Sequence, residues 1–243
     1  MTSPEWFLNW FNSPYYHLLY NHRNFDEAQK FVENLHRHLA LPAHARAWDL
    51  ACGKGRHSLA LHKLGLDVTG TDISENSIQE ALRSAEDGLE FYVHDMRLPF
   101  RINYFDVVLN LFTSLGYFEN PGDNLRVFQN VRDALKPKAV FVLDFFNSKK
   151  VLAGFHSNYT EKREGIEFRI RKQVQNKCIL KHIEFSCGEK DYFFEENVSL
   201  LEKDDFESMA HSAGLKVMNS FGNYQLGPFD PLNSDRLIML FQK

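Results

Sequence analysis

Apolar and polar residues follow two alternating patterns over the first 146 positions. Short, almost continuously apolar runs predict strands, whereas apolar residues three or four positions apart predict helices that bury one face. The predicted strands lie near residues 46–50, 66–72, 89–93, 105–112 and 139–146, and the predicted helices near 24–39, 56–64, 74–85 and 123–135. Strands that alternate with helices and are apolar on both faces indicate a parallel sheet covered on both sides.

The pattern changes after residue 146. The segments "GIEFRIRKQV", "CILKHIEFS" and "DYFFEENVSLL" alternate apolar and polar residues, which is typical of antiparallel strands with one face in water. A helix near 206–213 and two strands, "LKVMNSF" and "RLIMLFQ", follow. We therefore predict a doubly wound α/β domain in residues 41–150 and 201–243, with a helical segment in 1–40 and an antiparallel β insertion in 151–200.

The composition and charge of the chain argue against several classes of function. The 243 residues are 44% hydrophobic, which is enough for a sizeable core, and the net charge of −4 comes from interspersed acids and bases. Such a charge pattern argues against nucleic acid or anionic lipid as a partner. The apolar runs are shorter than the ~20 residues of a membrane span, no signal-peptide order opens the sequence, and three scattered cysteines suit a reducing compartment, so we expect a cytoplasmic protein.

Two glycines stand between the first predicted strand and the next helix, in "DLACGKGRH". In an open α/β sheet, ligands bind beyond the carboxyl ends of the strands, where Gly53 and Gly55 are expected. The absence of a Cβ atom at both positions lets a ligand approach the main chain, and the helix start offers unpaired N–H groups. A glycine pair alone also suits any tight turn, so the glycines require support from other residues.

Two acids at successive strand ends provide that support. Asp72 ends the second strand 17 residues after Gly55, where a carboxylate accepts both hydroxyls of a ribose. Asp95 ends the third strand, where it can accept from an adenine amino group while Met96 contacts the ring. Together these positions indicate a nucleoside ligand.

Asp49 bears on which nucleoside compound binds. An acid just before the glycines repels the phosphates of a nicotinamide dinucleotide but helps to hold an ammonium group, as in S-adenosylmethionine. Ser58 stands where a dinucleotide motif has its third glycine. A nicotinamide-dependent oxidoreductase nevertheless stays open as an alternative, because it too uses a strand-end acid for ribose.

Four segments, "DLACGKGRHSLAL", "VTGTDIS", "HDMRLPF" and "FDVVLNLFTSLGYF", resemble the motifs of class I S-adenosylmethionine-dependent methyltransferases of the small-molecule type. The resemblance implies a Rossmann-like seven-stranded sheet with an antiparallel last strand, and S-adenosyl-L-methionine as cofactor. It also implies which residues surround the methionine portion, the ribose, the adenine and the sulfonium. The methionine portion would be surrounded by Asp49, Ala51, Gly53 and Gly55, and the ribose would be held by Asp72 and Ile73. The adenine would be held by Asp95 and Met96, and the sulfonium would lie above Asn110 and Leu111.

No general base is assigned, so the catalytic residues are unknown at this point. The methyl group of a sulfonium has a good leaving group, and an in-line displacement needs mainly alignment and exclusion of water. We expect the helical segment in 1–40 to be a lid, with the β insertion in 151–200 covering the acceptor site. The residues predicted to contact the acceptor are Tyr16, Tyr20, His22, Arg23 and Tyr117.

The sequence thus predicts a methyltransferase acting on an unidentified small-molecule acceptor. The alternatives are the oxidoreductase and a non-catalytic module that only binds S-adenosylmethionine. No metal site is expected, because Cys178, His182 and Cys187 are too few and alternation places Cys187 on the other face from the first two. We expect no nucleic-acid or membrane partner, and the strands of the insertion offer an edge through which a homodimer can pair.

Overall fold

The computed structural model describes residues 6–20 and 25–243. Within these residues the chain forms a seven-stranded sheet covered by helices and a separate four-stranded sheet. The helices are α1 (Trp6–Phe11), α2 (Pro14–Leu19), α3 (Phe25–Leu39), α4 (Arg56–Lys63), α5 (Glu75–Ala81), α6 (Pro121–Ala134), α7 (Ser148–Ala153) and α8 (Lys203–Ala213). The strands are β1 (Arg46–Leu50), β2 (Asp67–Asp72), β3 (Leu89–Val93), β4 (Phe105–Asn110), β5 (Leu135–Phe146), β6 (Asn158–Arg163), β7 (Ile166–Gln175), β8 (Cys178–Cys187), β9 (Lys190–Ser199), β10 (Lys216–Phe221) and β11 (Arg236–Gln242).

The large sheet has the order β10-β11-β5-β4-β1-β2-β3. Strands β1 to β5 pair in parallel, whereas β11 runs antiparallel to both β5 and β10. This confirms the predicted α/β sheet with a reversed last strand. The chain moves outward from β1 to β3 and then returns to β4 on the other side of β1, so the topological switch point lies between β1 and β4.

Local signals set several element boundaries. Ser74 begins α5 as predicted, because its side chain accepts from the Ser77 N–H at 3.2 Å. The helix ends at Ala81, so the predicted range of 74–85 is too long at its end; a 3₁₀ turn follows, and Leu82 is half exposed. Strand β5 starts at Leu135, four residues earlier than predicted, and therefore includes Pro137.

The two faces of the large sheet carry separate apolar clusters. One contains the fully buried rings of Phe128, Phe141 and Phe206, while the other contains Phe31 and Leu35 of α3 together with residues of α4 and α5. Helix α3 packs against α4. It therefore belongs to the layer that covers the sheet.

The insertion is an antiparallel sheet in the order β6-β7-β8-β9. Its apolar face packs on the first two helices, with ring centroids 4.5 Å apart for Trp10 and Phe194 and 4.6 Å apart for Tyr15 and Phe185. Helices α1 and α2 therefore separate this sheet from the large one. None of the helices in the described ranges is long and apolar enough to cross a membrane.

Candidate functional site

A cavity of about 420 Å³ lies where β1, β2, β3 and β4 end, and α1 and α2 cover it. Several residues predicted to bind the cofactor or acceptor line it. They are Ala51, Gly53, Asp72, Ile73, Asp95, Met96 and Leu111, together with Tyr16, Tyr20 and Tyr117. His22 and Arg23 lie outside the residues that the structure describes. Within those residues, the wall has no side chain from the four-stranded sheet.

The three other predicted residues, Asp49, Gly55 and Asn110, are not among the residues that line the cavity. Asp49 is fully buried and accepts a 2.6 Å hydrogen bond from the Ser58 hydroxyl. Burial raises the pKa of Asp49 to about 6, although the bonds from Ser58 oppose that shift. The amide of Asn110 donates to the Leu50 carbonyl at 2.8 Å, and its Oδ1 is buried with no hydrogen-bond partner among the described residues.

The two glycines of the turn serve different purposes. Gly53 has a φ of 57°, and a Cβ atom there would meet nothing within 4 Å, so its main chain faces open space. Gly55 has a φ of 79°, and a Cβ atom there would lie 2.7 Å from Cε1 of Phe91. Ligand access to the main chain was the expected reason for glycine at both positions. For Gly55 that reason is wrong, because close packing on β3 leaves no room for a Cβ atom there.

Asp72 is fixed by the backbone at the tip of β2. Its Oδ2 accepts from the Gly53 N–H and its Oδ1 from the Ser74 N–H, both at 2.8 Å. Burial raises the pKa of Asp72, and these N–H donors act against the shift. Because a carboxylate offers about four lone-pair sites, each oxygen keeps a position for a further donor such as a ribose hydroxyl.

Asp95 is held by a neighbouring guanidinium. Nε of Arg97 donates to Asp95 Oδ1 at 3.1 Å and Nη2 donates to Oδ2 at 2.6 Å, in a forked arrangement. The pKa of Asp95 is lowered although burial opposes it, because the Arg97 bonds outweigh burial. The carboxylate is thus oriented before any ligand binds, with part of its accepting capacity already used.

Sequence reasoning missed several residues of the wall. His57 lines it, and burial followed by the charge of Arg56 lowers the pKa of His57 to about 3, so the ring is neutral at neutral pH. Phe112 also lines it, in a left-handed conformation with a φ of 80°. This conformation costs a bulky residue about 1–3 kcal/mol, so it persists only where contacts with neighbouring groups offset that cost. No local sequence signal marks such a residue.

Helices α1 and α2 are attached on both sides of the cavity. The Asn12 side chain between them accepts from Ser74 Oγ at 3.1 Å and from the Asn76 N–H at 3.0 Å, at the start of α5. On the other side, Tyr20 donates to Glu196 of β9 at 2.7 Å and accepts from Lys181 of β8. These contacts hold α1 and α2 in place over the cavity. We call these two helices, with their aromatic side chains, the aromatic cover.

Sequence comparison assigns the central part of the chain to a known domain. Residues 47–138 match a family described as "Methyltransferase domain". The chain is 31% identical over 157 residues to the Bacillus subtilis (strain 168) protein named "Putative methyltransferase YqeM". That match covers 63% of this chain and 62% of the relative, which is less than two thirds of the relative's length.

Solved structures share the whole architecture. A S-adenosylmethionine-dependent methyltransferase from Clostridium acetobutylicum ATCC 824 superposes with a TM-score of 0.78 at 19% identity, covering 94% of this chain and 95% of that one. CalS10 of Micromonospora echinaspora, an amino pentose methyltransferase solved with S-adenosylmethionine bound, superposes with a TM-score of 0.70 at 18% identity over 95% and 97% of the two chains. Residues 47–138 are thus similar to a methyltransferase domain, and the chain has the fold of solved S-adenosylmethionine-dependent methyltransferases.

Proposed function

We propose that this chain is an enzyme that binds S-adenosylmethionine and transfers its methyl group to a small-molecule acceptor. The observation that carries the proposal is the carboxylate of Asp72, which lies on the cavity wall and is bonded to the N–H of Gly53 in the open turn. The Asp72 carboxylate and the Gly53 N–H lie beside the switch point, where such sheets bind nucleotides and related ligands. When bound, the cofactor supplies a methyl group on a positively charged sulfur.

The residues of the wall fit the parts of this cofactor. Asp72 has positions for two ribose hydroxyls, and Met96 with the oriented Asp95 suits an adenine ring and its amino group. The open space above Gly53 admits the amino acid portion against the main chain. Asp49 lies behind the turn, and since its pKa is about 6, its negative charge at neutral pH favours a nearby ammonium group.

The acceptor would be positioned by aromatic rings. Tyr117 donates its hydroxyl to the Thr113 carbonyl at 2.7 Å, and the Tyr20 hydroxyl is bonded to Glu196 and Lys181. Because both hydroxyl groups are already bonded, Tyr117 and Tyr20 would contact the acceptor through their rings. The ring of Tyr16 is adjacent to those of Tyr20 and Phe11, with centroid distances of 5.0 Å and 4.9 Å. Alignment of two reactants in a cavity that excludes water supplies much of the acceleration in such a displacement, so no general base is assigned.

A compact acceptor suits the closed cover of α1 and α2 better than a polymer does. CalS10 is named as an amino pentose methyltransferase and KedS8 as a sugar N-methyltransferase, and both have this fold. We propose an acceptor of comparable size for this chain. The four-stranded sheet would act on it indirectly, by supporting the helices that cover it.

Calorimetric titration with S-adenosylmethionine tests the proposal. We expect binding by the natural chain and a loss of at least about tenfold in affinity for Asp72→Ala, because two charge-assisted hydrogen bonds disappear. Asp67→Ala is the matched control: it removes an acid at the opposite end of β2, next to His44, and should leave the affinity unchanged. Absence of binding, or equal affinity for Asp72→Ala, would refute the proposal.

Two further experiments separate the alternatives. Titration with NADH under the same conditions identifies a nicotinamide-dependent oxidoreductase if that compound binds and S-adenosylmethionine does not. Incubation with tritiated S-adenosylmethionine and a metabolite extract should yield a labelled compound, which identifies the acceptor. Binding without labelled product from any acceptor pool identifies a non-catalytic module.

A further inference from the structure

Phe112 occupies an unusual position at the switch point. It follows β4 by two residues, lines the cavity, and has a φ of 80°, which L-residues with large side chains rarely adopt. A bulky residue keeps such a conformation only where its surroundings determine it. The contacts around Phe112 show what does so.

Two buried charged residues bind both backbone polar groups of Phe112. Its N–H donates to Asp144 Oδ2 at 2.9 Å, and its carbonyl accepts from Arg236 Nη2 at 3.1 Å. The two side chains also bind each other, because Nε of Arg236 donates to Asp144 Oδ1 at 2.8 Å. Asp144 is 1% exposed, and the Arg236 side chain is 16% exposed.

Each charged residue comes from a different strand. Asp144 lies near the end of β5 and Arg236 begins β11, which are neighbours in the sheet on the side of β4 away from β1. Tyr224 completes the arrangement with a 3.3 Å bond to Asp144 Oδ2. The pair therefore binds the two peptide groups that flank the Cα atom of Phe112.

The ring of Phe112 lies within cation–π distance of two guanidinium groups. The Cζ atom of Arg56 is 5.2 Å from the ring centroid, and that of Arg236 is 5.7 Å from it. Arg56 opens α4 directly after the glycine turn and also lines the cavity. The ring thus connects the end of β4 with the turn after β1, across the switch point, through cation–π contacts.

We propose that Asp144 and Arg236 are positioning residues that hold Phe112 in its left-handed conformation, so that its ring fixes the cavity wall against which S-adenosylmethionine binds. The inference rests on the proposed function for the identity of the ligand. Without the bond from Arg236 to its carbonyl, Phe112 relaxes to an ordinary negative φ. The backbone at Phe112 then rotates, and the ring moves away from Arg56 and Arg236.

A double-mutant cycle tests this coupling, with S-adenosylmethionine as the calorimetric probe. Arg236→Lys keeps the charge but cannot bind Asp144 and the Phe112 carbonyl together, so it should weaken affinity about tenfold. Glycine adopts a φ of 80° without strain and has no ring to place. In a Phe112→Gly background, Arg236→Lys should therefore change affinity by less than about twofold.

Asp235→Asn is the matched control, because Asp235 adjoins Arg236 but binds Lys150 at the surface, at 2.5 Å. It should leave affinity unchanged in both backgrounds. Equal losses for Arg236→Lys with phenylalanine or glycine at position 112, or no loss at all, overturn the inference. Absence of binding by the natural chain is a different result, because it refutes the proposed function instead.

A stability measurement keeps the inference testable if Arg236→Lys does not fold. Where neighbours enforce the left-handed conformation, Phe112→Ala stays strained and Phe112→Gly does not. The melting temperature of Phe112→Gly should then exceed that of Phe112→Ala by about 2–4 °C. An equal or higher value for Phe112→Ala shows that the backbone relaxes, and it overturns the inference.

Discussion

The indole N–H of Trp10 donates a 2.6 Å hydrogen bond to Oε1 of Glu196, joining the first helix to the last strand of the four-stranded sheet. Glu196 also accepts from Tyr20 and lies 3.4 Å from the buried ammonium group of Lys181. One carboxylate thus organises the contact between the aromatic cover and the sheet behind it. The pKa of Glu196 is lowered although burial opposes it, because Lys181 and these donors favour the charged form.

Glu196→Gln should lower the free energy of unfolding by about 3 kcal/mol, because it leaves the buried Lys181 charge without its partner. Urea denaturation measures the change, and hydrogen exchange should show faster opening of α1 and α2. Adding Lys181→Met to Glu196→Gln should recover most of the stability. Glu195→Gln is the control, since Glu195 lies on the opposite face of β9 beside His182 and should cost less than about 1 kcal/mol.

Asp49 should make the ligand-free protein less stable as the pH rises. Its pKa increases on folding from 3.8 to about 6, so the folded state binds the proton more tightly than the unfolded state. Stability therefore falls between about pH 4 and pH 6, by about 2–3 kcal/mol in all. Asp49→Asn should remove this component when urea denaturation is repeated across the range; an unchanged pH profile would contradict the assignment.

His57 should make the protein less stable as the pH falls. Its pKa falls on folding from 6.5 to about 3, because burial and the charge of Arg56 disfavour the protonated ring. The neutral form is favoured in the folded state, so stability is lost as the pH falls below about 6.5. His57→Asn should lessen this acid loss by about 2–3 kcal/mol at pH 4 relative to pH 7. Urea unfolding curves of the natural chain and of His57→Asn, recorded at pH 4 and at pH 7, measure this difference.

The two glycines of the turn should respond differently to alanine. Gly55→Ala places a Cβ atom against Phe91, so it should destabilise the fold by about 2–3 kcal/mol, and Phe91→Leu should recover part of that loss. Gly53→Ala meets no atom and should cost only about 1–2 kcal/mol for its left-handed backbone. It should nevertheless weaken S-adenosylmethionine binding, because its Cβ enters the ligand space. Equal stability of the two variants would contradict this division.

Residues whose role depends on strand ends could be predicted from the sequence. Asp72 and Gly53 were expected together because parallel strands end at one edge of a sheet, and a 2.8 Å bond joins them. The helix predicted near 74–85 does begin there, because the Ser74 side chain caps the N–H groups of its first turn. In each case the signal lies within a few residues of the feature it predicts.

Contacts made across long sequence separations could not be predicted in this way. Alternation in β8 and β9 shows which residues share a face, but it does not show that α1 and α2 cover that face and bury Lys181 and Glu196. The left-handed backbone of Phe112 is set by Asp144 and Arg236, which lie 32 and 124 positions away. Such conformations come from tertiary neighbours and leave no local pattern.

The separation of the four-stranded sheet from the cavity wall has a consequence for how this protein can diversify. Because α1 and α2 line the cavity and pack on the apolar face of the sheet, substitutions on that face should move these two helices and leave the strand end that carries Asp72 in place. Under the proposed function, selectivity for a new acceptor would then be gained by changing the position of two short helices while affinity for the methyl donor is retained.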